Sequence, residues 1–183
     1  MSDRMSPERV RLLAELLTEV WGVNQGFVPD PAYRPLQKLV SWGAGEVLIV
    51  RNDGQEILLR HRADDFIGWH VPGGYIRPQE SIQAFCDRTA LEDAGVRGGV
   101  VNIRQIATLK WLDHIFSWPF CALLVCQTVE RVQEREDLRF FSVGDLPFAN
   151  MIHPKHALYL ETFIEYLKHP ERSCPVIGET LAH

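Results

Sequence analysis

Gly73-Gly74-Tyr75-Ile76-Arg77-Pro78-Gln79-Glu80-Ser81, followed by Arg88-Thr89-Ala90-Leu91-Glu92-Asp93-Ala94-Gly95-Val96, is the stretch that decides how this chain folds. A glycine-led loop closes on an acid, and Ser81 then stands where a helix N-cap belongs. Gly95 follows the last helical residue, where a left-handed cap favours glycine. Between them Ile82, Phe85, Cys86 and Ala90 recur at helical spacing and predict a buried stripe. Residues four apart share a helix face, so Thr89 and Asp93 lie on one and Arg88 and Glu92 on its neighbour. The stretch is therefore a loop and helix that hold several acids and an arginine in fixed relation.

The spacing resembles the Nudix box: Gly, five residues, Glu, seven residues, then Arg-Glu-U-x-Glu-Glu-x-Gly-U with U apolar. Gly74, Glu80, Arg88, Glu92, Gly95 and Val96 fall at the expected positions. Thr89 replaces a Glu of that pattern and Asp93 replaces its last Glu. The resemblance implies an α/β fold, a Nudix-type α/β/α sandwich with a mixed central sheet. It also implies a divalent cation, magnesium or manganese, held against a diphosphate by Gly73, Glu92, Asp93 and a later acid. Thr89 carries no charge, and Asp93 is one methylene short of Glu, a loss of reach of about 1.5 Å. The cation site is accordingly expected to be weaker or differently centred.

Beyond the box the resemblance extends to one branch of the family, GDP-mannose mannosyl hydrolase, through Leu58-Leu59-Arg60-His61-Arg62 and Gly68-Trp69-His70-Val71-Pro72-Gly73-Gly74. It places Arg62 where an arginine offsets the charge that grows on the leaving diphosphate, a role suited to its fixed charge and fork of donors. It places Glu134 on a metal ligand and Arg135 where that branch has a catalytic His. An arginine, with a pKa above about 12, cannot serve as general base at neutral pH. The remaining candidates to activate water are Glu80, Glu92, Glu134, Glu136 and His114, with Arg88 orienting Glu92.

Around this centre the chain reads as three parts. Residues 1–40 hold a helix opened by Ser6-Pro7 and an extended arm with Pro29, Pro31 and Pro35. Residues 41–170 form the Nudix domain, and residues 171–183 form a tail. Val47 to Val50, the turn Asn52-Asp53-Gly54 and Ile57 to Leu59 predict a hairpin. Val100–Leu112, Phe120–Val129 and Leu138–Ser142 predict further strands, and a last helix begins near Pro154 and ends at Pro170. The first helix carries two apolar stripes, one through Leu13 and Leu17 and one through Leu12 and Leu16, which predict a homodimer contact.

The 183 residues suit one well-buried domain with extensions. A net charge of −5, from 24 acidic and 19 basic residues, argues against an obligate nucleic-acid binder. Cys86, Cys121, Cys126 and Cys174 show no paired spacing, and neither a basic leader nor a membrane-length apolar run is present, so a cytoplasmic protein without a membrane partner is expected. The leading expectation is a metal-dependent hydrolase of a nucleoside diphosphate linked to another group, preferably a nucleotide sugar, with a small-molecule nucleotide as partner. Two alternatives stand beside it. One is pyrophosphohydrolysis of nucleoside triphosphates or dinucleotides, and the other is an inactive Nudix-like nucleotide-binding or regulatory module, to which Thr89 and Arg135 point.

Overall fold

Strand β1 (Ala44–Arg51) is apolar from Val47 to Val50 because both of its faces are covered. Side chains alternate along a strand, so Leu48 and Val50 enter one core while Val47 and Ile49 enter the other. The computed structural model describes residues 6–24, 43–63, 67–77, 80–111, 120–172 and 176–179. Its contacts group into two units, Met1–Val40 and Ser41–His183.

In the second unit, β1 leads through a one-turn 3-10 helix at Asn52–Gly54 into β2 (Glu56–Ala63). The hairpin predicted at this turn is present. Strands β3 (Ile67–His70) and β4 (Gly73–Tyr75) follow, then α2 (Ile82–Ala94), β5 (Val100–Trp111), β6 (Cys121–Thr128) and β7 (Leu138–Ser142). Helix α3 (Pro154–Lys168) and strand β8 (Val176–Glu179) complete the unit. The order across the sheet is β3-β2-β1-β6-β5-β8, with β4 paired to β1 and β7 to β2. Strands β1 and β6 run parallel, as do β5 and β8, and the other pairs are antiparallel, so the sheet is mixed.

Each face of the sheet carries one helix. Phe85, Cys86, Ala90 and Ala94 of α2 pack on Val47, Ile49, Leu58, Leu124 and Cys126. Tyr159, Leu160 and Phe163 of α3 pack on Leu48, Val50, Ile57, Leu59 and Leu123. This is the expected α/β/α sandwich. Ser81 caps α2 by accepting the Ala84 N–H at 3.1 Å, and Gly95 ends it at φ 71°. Residues 176–179, which the sequence reading places in a tail, instead add an edge strand to β5.

The first unit contains α1 (Pro7–Asn24), whose start is supported by the Arg9 N–H donating to Ser6 Oγ at 3.4 Å. Val10, Leu12, Leu13, Leu16 and Leu17 are exposed. Among the described residues no helix is long and apolar enough to cross a membrane.

Candidate active site

Pairing between β1 and β4 sets Glu46 opposite Gly73, and this register builds one wall of a cavity of about 810 Å³. A Cβ at position 73 would overlap the Glu46 carboxyl, so glycine is required there by close approach. Arg60 and Arg62 of β2 contribute charge, as do Lys155 at the start of α3 and Asp93 at the end of α2. His70, His156, Tyr159 and Cys121 form a less charged part of the lining.

Glu46 is half-buried and lines the cavity. Burial raises the pKa of its carboxyl well above the usual range, and the charge of Asp93 raises it further, while a hydrogen bond from Tyr159 opposes the shift. Its Oε2 is buried without a hydrogen-bond partner among the described residues. His70 Nδ1 stands 3.0 Å from the Val71 carbonyl oxygen, which can only accept, so Nδ1 carries the proton. In the neutral ring Nε2 is then an acceptor, and it is likewise buried without a partner. Burial lowers the His70 pKa, so the neutral ring prevails. Asp93 is held by Arg60, whose Nη1 donates to Oδ1 at 2.9 Å.

His156 offers a test of these electrostatics. Its Nδ1 accepts the Val71 N–H at 3.3 Å, and its ring packs edge-on to Tyr159 and His70. Burial, then the nearby His70 and His153, lower its pKa to about 3. The folded protein therefore binds fewer protons here than the unfolded chain, so the contribution of His156 is intact above about pH 6.5 and shrinks as pH falls below it. The raised Glu46 acts in the opposite sense, losing stability as pH rises above the ordinary carboxylate range, so the two partly offset in mildly acidic solution. Comparison with His156→Gln removes that overlap. Relative to this variant, the parent should lose about 1.4 kcal/mol per pH unit below pH 6.5. Urea unfolding from pH 7 to pH 5 measures the difference, and parallel curves would refute the assignment.

The box residues divide into two groups. Glu80 and Arg88 form a bidentate pair beside the cavity, with Arg88 Nε donating to Oε1 at 2.7 Å and Nη2 to Oε2 at 2.9 Å. Arg88 also donates to the Tyr75 carbonyl at 2.9 Å and to Glu92 Oε2 at 3.1 Å. The Arg88 hydrogen bonds depress the Glu80 pKa strongly, so Glu80 is an anionic clamp that ties the box loop to α2. With side chains only 17% and 10% exposed, this pair has weight in the fold. Arg88→Ala should cost about 2–3 kcal/mol in chemical denaturation. Arg88→Lys should recover only part, because an ammonium lacks the fork. A loss below about 0.5 kcal/mol for the alanine variant would refute the clamp.

Of the residues expected at the site, Arg62, Gly73 and Asp93 line the cavity. Glu80, Arg88 and Glu92 stand beside it, and the Glu92 carboxylate, 53% exposed, is shared by Arg88 and Arg77. Glu134 is not brought to this cavity. Its Oε1 accepts from Arg51 at 2.9 Å and its Oε2 from the Phe140 N–H at 3.1 Å, which fixes it as a brace between loop and strand. Arg135 donates to Asp137 at 3.0 Å. Thr89 does not share the cavity side with Asp93. It is 2% exposed and turned toward the sheet, while a rotation of about 40° over four residues brings Asp93 to the edge of that face and onto the cavity. His114 lies outside the described residues. Glu46, Arg60, His70, His156 and Tyr159 were not anticipated. An acid inside the apolar opening of β1 was a signal for Glu46, because an unpaired charge does not belong in a buried strand.

The donor set suits the divalent cation that the resemblance implies. Glu46 and Asp93 are oxygen donors whose mutual repulsion a cation would relieve. Gly73 is on the same wall. Among the described residues no three His, Cys, Asp or Glu side chains form a closed metal cluster. Magnesium keeps waters and is bound through one or two carboxylates together with substrate phosphates, and Glu46 and Asp93 are the side chains that would hold it here. Such a cation would supply charge stabilisation for a diphosphate and acidify a bound water.

Comparison with known proteins places this geometry. The model of the NUDIX domain matches residues 43–163. A Bacillus subtilis (strain 168) protein that carries the provisional name 8-oxo-dGTP diphosphatase is 30% identical over 106 residues, covering 56% of this chain and 68% of that one. The fold is shared with an ADP-ribose pyrophosphatase from Streptococcus suis, at TM-score 0.53 and 19% identity over 73% of this chain and 97% of that one. A NUDIX hydrolase from Nitrosomonas europaea aligns at TM-score 0.58 and 17% identity, covering 75% and 78% of the two chains. A domain match over residues 43–163, with the box loop clamped to its helix beside an acid-lined cavity, shows that the chain belongs to the Nudix hydrolase family, enzymes that act on nucleotide derivatives.

Proposed function

We propose that this Nudix hydrolase cleaves the diphosphate of a nucleoside diphosphate linked to another group, with water attacking phosphorus. The carrying observation is that Arg62 and Lys155 face the same cavity as Glu46 and Asp93. Cations there would hold the phosphoryl oxygens, while the two acids would hold the divalent metal and thereby orient the diphosphate. One water oxygen adds to a phosphorus and the bridging P–O bond breaks. The products are a nucleoside monophosphate and the phosphate ester of the linked group. At about 810 Å³ the cavity has room for a nucleotide and an attached sugar.

Attack at the sugar carbon, as in the GDP-mannose mannosyl hydrolase branch, is less well supported. The comparisons give that likeness no support, and Arg135, at the place of that branch's catalytic His, is paired with Asp137. Hydrolysis of a nucleoside triphosphate, including an oxidised one, is the second reading, favoured by the name of the Bacillus subtilis relative. A panel of nucleotide sugars, dinucleotides and triphosphates in magnesium, with products resolved by chromatography, tests both. Sugar phosphate with nucleoside monophosphate supports the main reading, and monophosphate with pyrophosphate supports the second. Free sugar with nucleoside diphosphate overturns both. The exposed apolar residues of α1 favour a homodimer as the working form, and a monomeric mass by light scattering at micromolar protein would refute it.

A further inference from the structure

Arg60 occupies an unusual place. It is the middle of three alternating positions on β2, and its guanidinium spans the gap between the sheet and the last turn of α2. Nη1 donates to Asp93 Oδ1 at 2.9 Å and also reaches the Glu92 carbonyl at 3.3 Å. Carbonyls at a helix C-terminus carry partial negative charge, so this position favours a cation twice over. Nε, in contrast, is buried and has no hydrogen-bond partner among the described residues. The guanidinium thus has one strongly satisfied end and one unmet donor, and it lines the same cavity as Asp93, Glu46 and Arg62.

We propose that Arg60 is an internal competitor for the divalent cation: it holds Asp93 while no substrate is bound, and it transfers to the substrate's diphosphate when the cation takes Asp93. The inference rests on the cation-assisted diphosphate hydrolysis proposed above. Its physical basis is charge balance. A guanidinium already on Asp93 Oδ1 offsets the charge of that carboxylate and competes with a cation for it, so free metal binds weakly. A diphosphate supplies oxygens whose fork geometry suits guanidinium, so it offers Arg60 a replacement partner and satisfies its unmet donor. Metal and nucleotide then assist each other's binding through an exchange of partners. No bond is made or broken in the exchange, and Arg60 is a positioning residue until the diphosphate arrives.

The test is manganese binding to the full chain, followed by electron paramagnetic resonance, with and without a non-hydrolysable methylene analogue of a nucleoside diphosphate. In the parent the analogue should tighten manganese binding about tenfold or more. Arg60→Gln should bind manganese about tenfold tighter than the parent without the analogue, and the analogue should then add less than about threefold. Arg60→Lys, which keeps the charge but cannot reach two acceptors at once, should fall between them and decides the matter if the glutamine variant does not fold. The gain of Arg60→Gln should vanish when Asp93→Asn is added, as a direct coupling requires. Manganese affinity that is unchanged or weaker in Arg60→Gln overturns the proposal, as does a gain that survives Asp93→Asn. An equal gain in Arg62→Gln overturns it as well, because the effect would then be a general loss of positive field. The titration requires no turnover, so a parent that hydrolyses no diphosphate would refute the proposed function while leaving this result to stand or fall by itself.

Discussion

Asp93→Asn is expected to lower kcat on diphosphate substrates on the order of 10²-fold, the scale of losing one preorganised charge at a reacting centre. The substitution keeps size and hydrogen bonding while removing the only box carboxylate that faces the cavity. Its structural cost should be small. The Arg60 pair is partly exposed, with side chains 34% and 19% accessible, so unfolding free energy should fall by about 1 kcal/mol. Glu92→Gln makes the comparison informative, since Glu92 is shared between two arginines outside the cavity. It should lower kcat less than Asp93→Asn does. Equal losses in steady-state kinetics would move the cation to the outer face of α2 and refute the cavity as the catalytic centre.

Thr89→Glu should unfold the protein more readily by about 3–5 kcal/mol, the cost of a buried charge without a partner. The corresponding loss in Tm is roughly 10 °C for a unit of this size. Spacing alone puts residue 89 one helical turn from Asp93, so a glutamate there would add a metal ligand, cost little stability without metal and let metal stabilise the variant more than the parent. Thr89 is 2% exposed, however, and belongs to the side of α2 that meets the sheet. Magnesium should therefore shift the Tm of this variant no more than it shifts the parent's. A larger shift in the variant, by calorimetry, would show that residue 89 reaches the cation after all.

What was legible in the sequence was local. The Ser81 cap, the left-handed Gly95, the hairpin at Asn52-Asp53-Gly54 and the helix starting at Pro154 each depend on a few adjacent residues, whose backbone preferences act without the rest of the fold. The apolar run from Val47 to Val50 likewise implied a strand, and the structure shows it covered on both faces. The box spacing carried the family, because the Glu80–Arg88 clamp joins residues only eight apart.

The sequence by itself determined the helices, the five longer strands, the family and the fact of an acidic loop and helix, while the short strands β3, β4 and β8 came only with the structure. Only the tertiary structure decided which acids meet. Glu46 and Asp93 are 47 positions apart in sequence, and Arg60 reaches Asp93 from a strand 33 residues away. Their meeting follows from strand register and from the angle at which α2 lies on the sheet, both set by packing of the two apolar layers. Glu134, which the resemblance places on a metal ligand, is turned instead to Arg51 by the neighbouring strand. Helical periodicity names two faces but not which one is covered, and it was the packing of Phe85, Cys86 and Ala90 on Val47, Ile49 and Leu58 that turned the Thr89 side of α2 inward and left Asp93 at the cavity.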